Sequence, residues 1–128
     1  MKRKAIITRT CEISLDKFGI LHVKILNGVV IDKEDAIDNF LVVRNLTRGR
    51  PVLKLIDARN KFEILQEAKE IVENENNTEK HITKAIIVSS EVEKKLRNFF
   101  LSLVNARFPV KIFTSEQKAI DWLRTFIL

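Results

Sequence analysis

The side chains able to do chemistry are few and scattered. His22 and His81 lie far apart, and neither sits in a Cys/His/Asp spacing that holds a metal ion. Cys11 is the only cysteine, so an internal disulfide is excluded. It alternates with polar neighbours and reads as small buried filler, because no His neighbours it and no helix start would lower its pKa. Gly19, Gly28 and Gly49 are the only glycines, too few for a phosphate cradle, and neither GxGxxG nor a P-loop occurs. A G-x-S-x-G nucleophile elbow is also missing. Asp57 ends a strand as a phosphoacceptor would, but the acidic pair that would hold its metal is absent. No enzyme chemistry and no cofactor are therefore expected.

Candidate binding residues lie where parallel strands end, the edge at which open α/β sheets hold ligands. That edge offers Asp57, Arg59 and Asn60, then Ser89 and Ser90, then Thr114 and Ser115. Each group precedes a helix, whose first backbone N–H groups could hold an anion. The competing explanation is plain capping. Ser90 has Glu93 and Thr114 has Gln117 three residues on, as a capping box requires.

The elements that must position these residues follow from periodicity. Cys11 to Asp16 alternates apolar and polar, Asp16-Lys17-Phe18-Gly19 turns, and Ile20 to Leu26 resumes as the second strand of a hairpin. Asp32 caps a helix with a buried stripe of Ile37, Phe40, Leu41, Val43 and Leu46, ended by Gly49 and Pro51. Val52 to Ile56 is a strand. Ile64, Leu65, Ala68, Ile71 and Val72 mark a second helix capped by Asn60, and Glu73 to Lys80 reads as its solvated end and loop. Ala85 to Val88 is a central strand buried on both faces. Val92, Leu96, Phe99, Phe100 and Leu103 are the stripe of a third helix. Val110 to Phe113 is the last strand, and Ala119, Ile120, Leu123, Phe126 and Ile127 line the last helix, with Trp122 sealing its edge. The expected architecture is α/β: an antiparallel N-terminal hairpin, then βαβαβα units, in a mainly parallel mixed five-stranded sheet with four helices. One sheet face carries Glu12, Ser14, His22, Lys24, Lys54 and Lys111, together with Ile20, Leu26, Val52, Ile56 and Phe113. Most helices should cover the other face. The mixed face is left for a dimer contact, a ligand, or short covering segments.

At 128 residues the chain reads as one domain over 1–128, with 1–9 a flexible or loosely ordered N-terminal segment. Hydrophobic residues at 45% and charged residues at 31% exclude global disorder. The apolar run Ala5-Ile6-Ile7 is too short for a secretion signal, and no stretch approaches a membrane span, so a cytoplasmic location is expected. The net charge is +6, with a local basic excess from Arg44 through Arg48, Arg50, Lys54 and Arg59 to Lys61. No aromatic residues interleave with it as a stacking surface needs, which argues against a nucleic-acid partner.

Three stretches carry a resemblance: Gly19-Ile20-Leu21-His22-Val23; Ala85-Ile86-Ile87-Val88-Ser89-Ser90 with Asn98-Phe99-Phe100-Leu101; and Pro109-Val110-Lys111-Ile112-Phe113-Thr114 leading to Ala119-Ile120-Asp121-Trp122-Leu123. The chain resembles the bacterial SpoIIAA-like (STAS-fold) proteins of unknown function, which also have a likeness to CRAL-TRIO lipid-binding domains. In anti-sigma-factor antagonists of this fold, an Asp-Ser pair after the third strand carries the phosphorylated serine. Here Asp57 is followed by Ala58, so that switch does not carry over. The resemblance, with the missing catalytic groups and the mixed open face, points to a non-enzymatic regulatory module that engages a protein partner as a homodimer, and the carboxyl-edge residues Asp57, Arg59, Asn60 and Ser90 are the first candidates for the contact. The rival it implies is a carrier or sensor of a small apolar or lipid-like ligand, which requires an apolar cavity lined by residues such as Phe40, Phe99, Phe100 or Trp122.

Overall fold

The computed structural model describes residues 4–78 and 81–127. Strands β1 (Ala5–Ile7), β2 (Cys11–Leu15) and β3 (Ile20–Ile25) form an antiparallel meander. The β2–β3 turn is closed by Asp16, whose Oδ1 accepts from the backbone N–H groups of Phe18 at 2.8 Å and Ile20 at 3.0 Å. Gly19 takes the left-handed backbone that this tight turn requires (φ +82°). After β4 (Val29–Ile31), helix α1 (Lys33–Thr47) starts at Asp32 through a reciprocal cap with Asp35, at 2.8 and 2.9 Å. It stops where Arg48 and Gly49 both turn left-handed. The rest runs β5 (Leu53–Ala58), β6 (Phe62–Ile64), α2 (Gln66–Thr78), β7 (Thr83–Val88), α3 (Ser90–Lys95), α4 (Arg97–Val104), β8 (Val110–Phe113) and α5 (Glu116–Arg124).

Six strands make the main sheet in the order β1-β2-β3-β5-β7-β8, with β3, β5, β7 and β8 parallel. Strands β4 and β6 pair separately, also in parallel. The registers set two faces. On one, rows such as Ile13–Val23–Ile56–Ile86–Ile112 cross the sheet. Helices α1 to α4 cover this face through Ala36, Val43, Ala68, Ile71, Val92, Leu96, Phe100 and Leu103. On the other, α5 packs Ala119 and Leu123 on Leu53, Leu55, Ala85 and Ile87. Every residue of β7 is buried, as a central strand between two helical layers demands. Each large side chain so buried, Ile86 for one, contributes roughly 1.5–3 kcal/mol of transfer free energy.

The expected α/β class, hairpin and one-sided helix layer are present, with differences in detail. Ala5–Ile7 pairs with β2 where a loose segment over 1–9 was expected; residues 1–3 lie outside the described residues. The third expected helix is two, broken at Leu96, whose φ and ψ are −117° and 23°. The α1 stripe is rotated: Ala36, Phe40 and Val43 face in, while Leu41 is 54% exposed and Ile37 lies at the surface. The expected helix end from Glu73 runs as far as Thr78, with Asn76 buried where a solvated stretch was expected; residues 79–80 lie outside the described residues. Phe62–Ile64 is a strand, so α2 starts later than its stripe suggested, and Leu65 is exposed. Lys54 and Ile56 do not join the open face. Leu53 and Leu55 take the α5 side, which turns Lys54, Ile56 and Ala58 under the other helices. No helix among the described residues is long and apolar enough to cross a membrane.

Candidate functional site

The carboxyl edge gathers the residues expected there, but local duties occupy most of them. Register aligns Asp57 with Ile87, and Ile87 with Phe113, so the three strand ends lie side by side. Arg59 folds back on Asp57 as a two-pronged pair at 2.9 and 2.7 Å, and it also reaches Glu116 at 3.7 Å. Burial pulls the Asp57 carboxyl up, but hydrogen bonds from Arg59 outweigh it and hold the group below its ordinary value. Asn60 does not cap α2; its side-chain amide donates to the Ile25 carbonyl at 2.9 Å and ties β5 to β3. The cap of α3 is Ser89, not Ser90, with Oγ accepting from Val92 N–H at 3.1 Å. Ser115, not Thr114, caps α5 by accepting from Lys118 N–H at 3.3 Å. Thr114 is exposed. The basic stretch is no single patch: Arg44, Arg48 and Arg50 precede β5, Lys54 is half-buried within it, and Arg59 and Lys61 follow it beside acidic partners.

A different site lies beneath the helices. A cavity of about 170 Å³ separates the sheet from α1, α2 and α4. Its floor is Leu21, Val23, Ile56, Ala58 and Ile86, and its roof includes Phe40, Val43, Ile71, Phe99 and Phe100. Trp122, the fourth aromatic expected there, is on the opposite face between Phe113 and Phe126. Ala58 is 1% exposed, so its side chain is enclosed by the core instead of standing in a surface loop. Near the carboxyl end of the strands, Cys11 lies beside Asn39, whose amide nitrogen is 3.4 Å from Sγ. Burial pushes the Cys11 thiol up to about 11, which keeps it an inert filler.

The amino end of the cavity is polar. Lys54 and Lys84 are cross-strand neighbours on β5 and β7, and both point under the helices. Glu75 comes down from α2 between them, 3.2 Å from Lys54 Nζ and 3.6 Å from Lys84 Nζ. Lys84 donates to Asn76 Oδ1 at 2.8 Å, and Lys54 lies 3.3 Å from His81 Nδ1. The His81 ring is buried and stacks on Phe108 with centroids 4.2 Å apart. Burial lowers the His81 pKa, helped by Lys54, so the ring is neutral near pH 7. Burial alone would raise the Glu75 carboxyl, yet Lys84 and Lys54 carry it below its ordinary value. Among the described residues no group of three or more His, Cys, Asp or Glu could hold a metal ion.

Sequence reasoning missed this cluster, although signals were present. Glu75 and Asn76 continue the inward stripe of Ala68, Ile71 and Val72 at helical spacing, and Lys84 directly precedes the apolar run Ala85 to Val88.

The family described as "Domain of unknown function (DUF7793)" matches residues 13–127, nearly the whole of this architecture. The chain belongs to that family. This DUF7793 chain is also similar to the crystal structure of an uncharacterized protein of the DUF3478 family with a SpoIIAA-like fold from Shewanella loihica PV-4. The TM-score is 0.59 at 16% identity, over 95% of this chain and 92% of that one. The SpoIIAA-like fold is thereby shown, and at this identity the fold alone. A protein with unknown function from Arthrobacter sp. FB24 aligns over 88% of this chain and 92% of its own, at 22% identity and a TM-score of 0.32. No curated protein matches the chain.

Proposed function

We propose that this chain is a non-enzymatic binding module that holds a small apolar ligand in the cavity between the sheet and α1, α2 and α4. The cavity itself is the observation that supports this. Well-packed interiors leave few voids larger than a water molecule, because each unfilled contact forfeits dispersion energy. A half-open cavity near 170 Å³ with Leu, Ile, Val and Phe walls is close in size to an engineered apolar cavity of 150 Å³ that takes up benzene. Apolar walls with a few polar groups at one end are also the usual build of a small-molecule site. The carboxyl edge supports a protein partner less well, since Asp57, Asn60, Ser89 and Ser115 are each engaged within the chain. The face of β1 to β3 left open by α5, with Ile7 and Phe18 exposed nearby, is the surface that remains for a second copy or another protein.

The test is thermal unfolding with and without toluene. Ligand at ten times its Kd adds about 1.4 kcal/mol to folding stability, which for a domain of this size raises Tm by about 5 °C. Ile56→Phe, which fills the floor of the cavity, should remove that rise while leaving the circular dichroism spectrum unchanged. An equal rise in wild type and Ile56→Phe, or none in either, contradicts the proposal.

A further inference from the structure

The geometry points to an occupant that carries one negative charge: a monocarboxylate whose apolar part is a single ring or a short branched chain, with its head group on Lys54 and Lys84. This rests on the cavity being the binding site and adds the chemistry of its polar end. The side chains of Lys54 and Lys84 are only 12% and 6% exposed, and the nearby carboxylate, Glu75, is 15% exposed. Among the described residues the cluster therefore holds two ammonium groups against one carboxylate, with His81 bringing no compensating anion. Like charges directly opposite on neighbouring strands are unfavourable, and an uncompensated buried charge is costly. One further anion balances the site, whereas a dianion would reverse the imbalance.

The donors are also incompletely used. An ammonium offers three N–H bonds. Among the described residues Lys54 spends two, on Glu75 and His81, and Lys84 spends one on Asn76 with Glu75 standing beyond hydrogen-bond reach at 3.6 Å. Among the described residues this leaves each lysine an N–H without a hydrogen-bond acceptor, although Lys84 Nζ also faces the Phe108 ring at 5.8 Å; both residues line the cavity. The volume then limits the apolar part to roughly six to eight heavy atoms, by comparison with the benzene-sized cavity. Stability alone gives no reason for the arrangement, because buried ion clusters are often replaceable by apolar side chains without loss. Burial drives the Lys84 ammonium down to about 8 against the pull of Glu75.

Isothermal titration with toluene, benzamide and benzoate separates the two claims. Benzamide matches benzoate in shape without its charge. Benzoate is expected to bind at least about tenfold tighter than benzamide, the worth of one charge-assisted hydrogen bond. Lys84→Met should abolish that preference while toluene still binds, and Lys54→Met serves as the second variant if the first is poorly folded. Toluene binding with benzoate no tighter than benzamide overturns the head-group inference and leaves the apolar cavity standing. Failure of all three probes overturns both.

Discussion

Lys84 stands in β7 just before Ala85, Ile86, Ile87 and Val88, and it is buried along with them. Burial brings its pKa down from 10.5 to about 8, so between these values the unfolded chain keeps a proton that the folded chain has released. Its contribution to stability consequently rises with pH from about 8 to about 10.5 and is constant below that window. Cys11 acts in the opposite sense, because its buried thiol is raised to about 11 and stays protonated after the unfolded thiol has ionised. Comparing wild type with Lys84→Met cancels the cysteine. Urea unfolding at pH 7.5 and 9.5 should show wild type gaining stability relative to Lys84→Met at the higher pH. A difference independent of pH contradicts the buried, depressed lysine. The substitution leaves Lys54 and Glu75 as a matched pair, so the fold should survive it.

At the scale of elements, stability at the start of α1 comes from Asp32 and Asp35 capping each other, with Arg9 bonded to Asp35 across from the β1–β2 loop. Hydrogen bonding from Arg9 holds the Asp35 carboxyl down to about 2, so this contribution is present above about pH 4 and fades as pH falls toward 2. Asp32→Ala should cost about 1 kcal/mol in chemical denaturation at pH 7. No loss would mean that the cap is not formed in solution. Asp32 was readable as the start of α1 because one capping residue stands before the apolar stripe. The caps of α3 and α5 were each misplaced by one residue for a physical reason: Ser89-Ser90 and Thr114-Ser115 each offer two adjacent hydroxyls. The Glu or Gln three residues on marks the second in one pair and the first in the other, but neither is the residue that caps. Strand β6, three residues long, is too short for its alternation to stand out.

For the whole molecule, strand and helix periodicity sufficed for the α/β order and for the uneven distribution of helices over the sheet. Which face each charged strand residue takes was legible only in part. Leu53-Lys54-Leu55-Ile56 is apolar on both sides, so alternation does not say where Lys54 points; the register of β5 against β3 and β7 decides it. The cavity was equally hidden, since Phe40, Phe99 and Phe100 look the same in sequence whether they fill a core or line a void. Only the spacing of the helices above the sheet distinguishes the two. A half-open cavity left by that layering between the sheet and α1, α2 and α4 is what makes this chain a ligand holder in our account. The most direct test is a methyl NMR titration with toluene. The account predicts saturable shifts concentrated on the methyl groups of Leu21, Val23, Ile56 and Ile86, with those of Leu41 and Leu101 on the outer surface unchanged. Shifts confined to the outer surface, or no saturable shift at millimolar toluene, would contradict it.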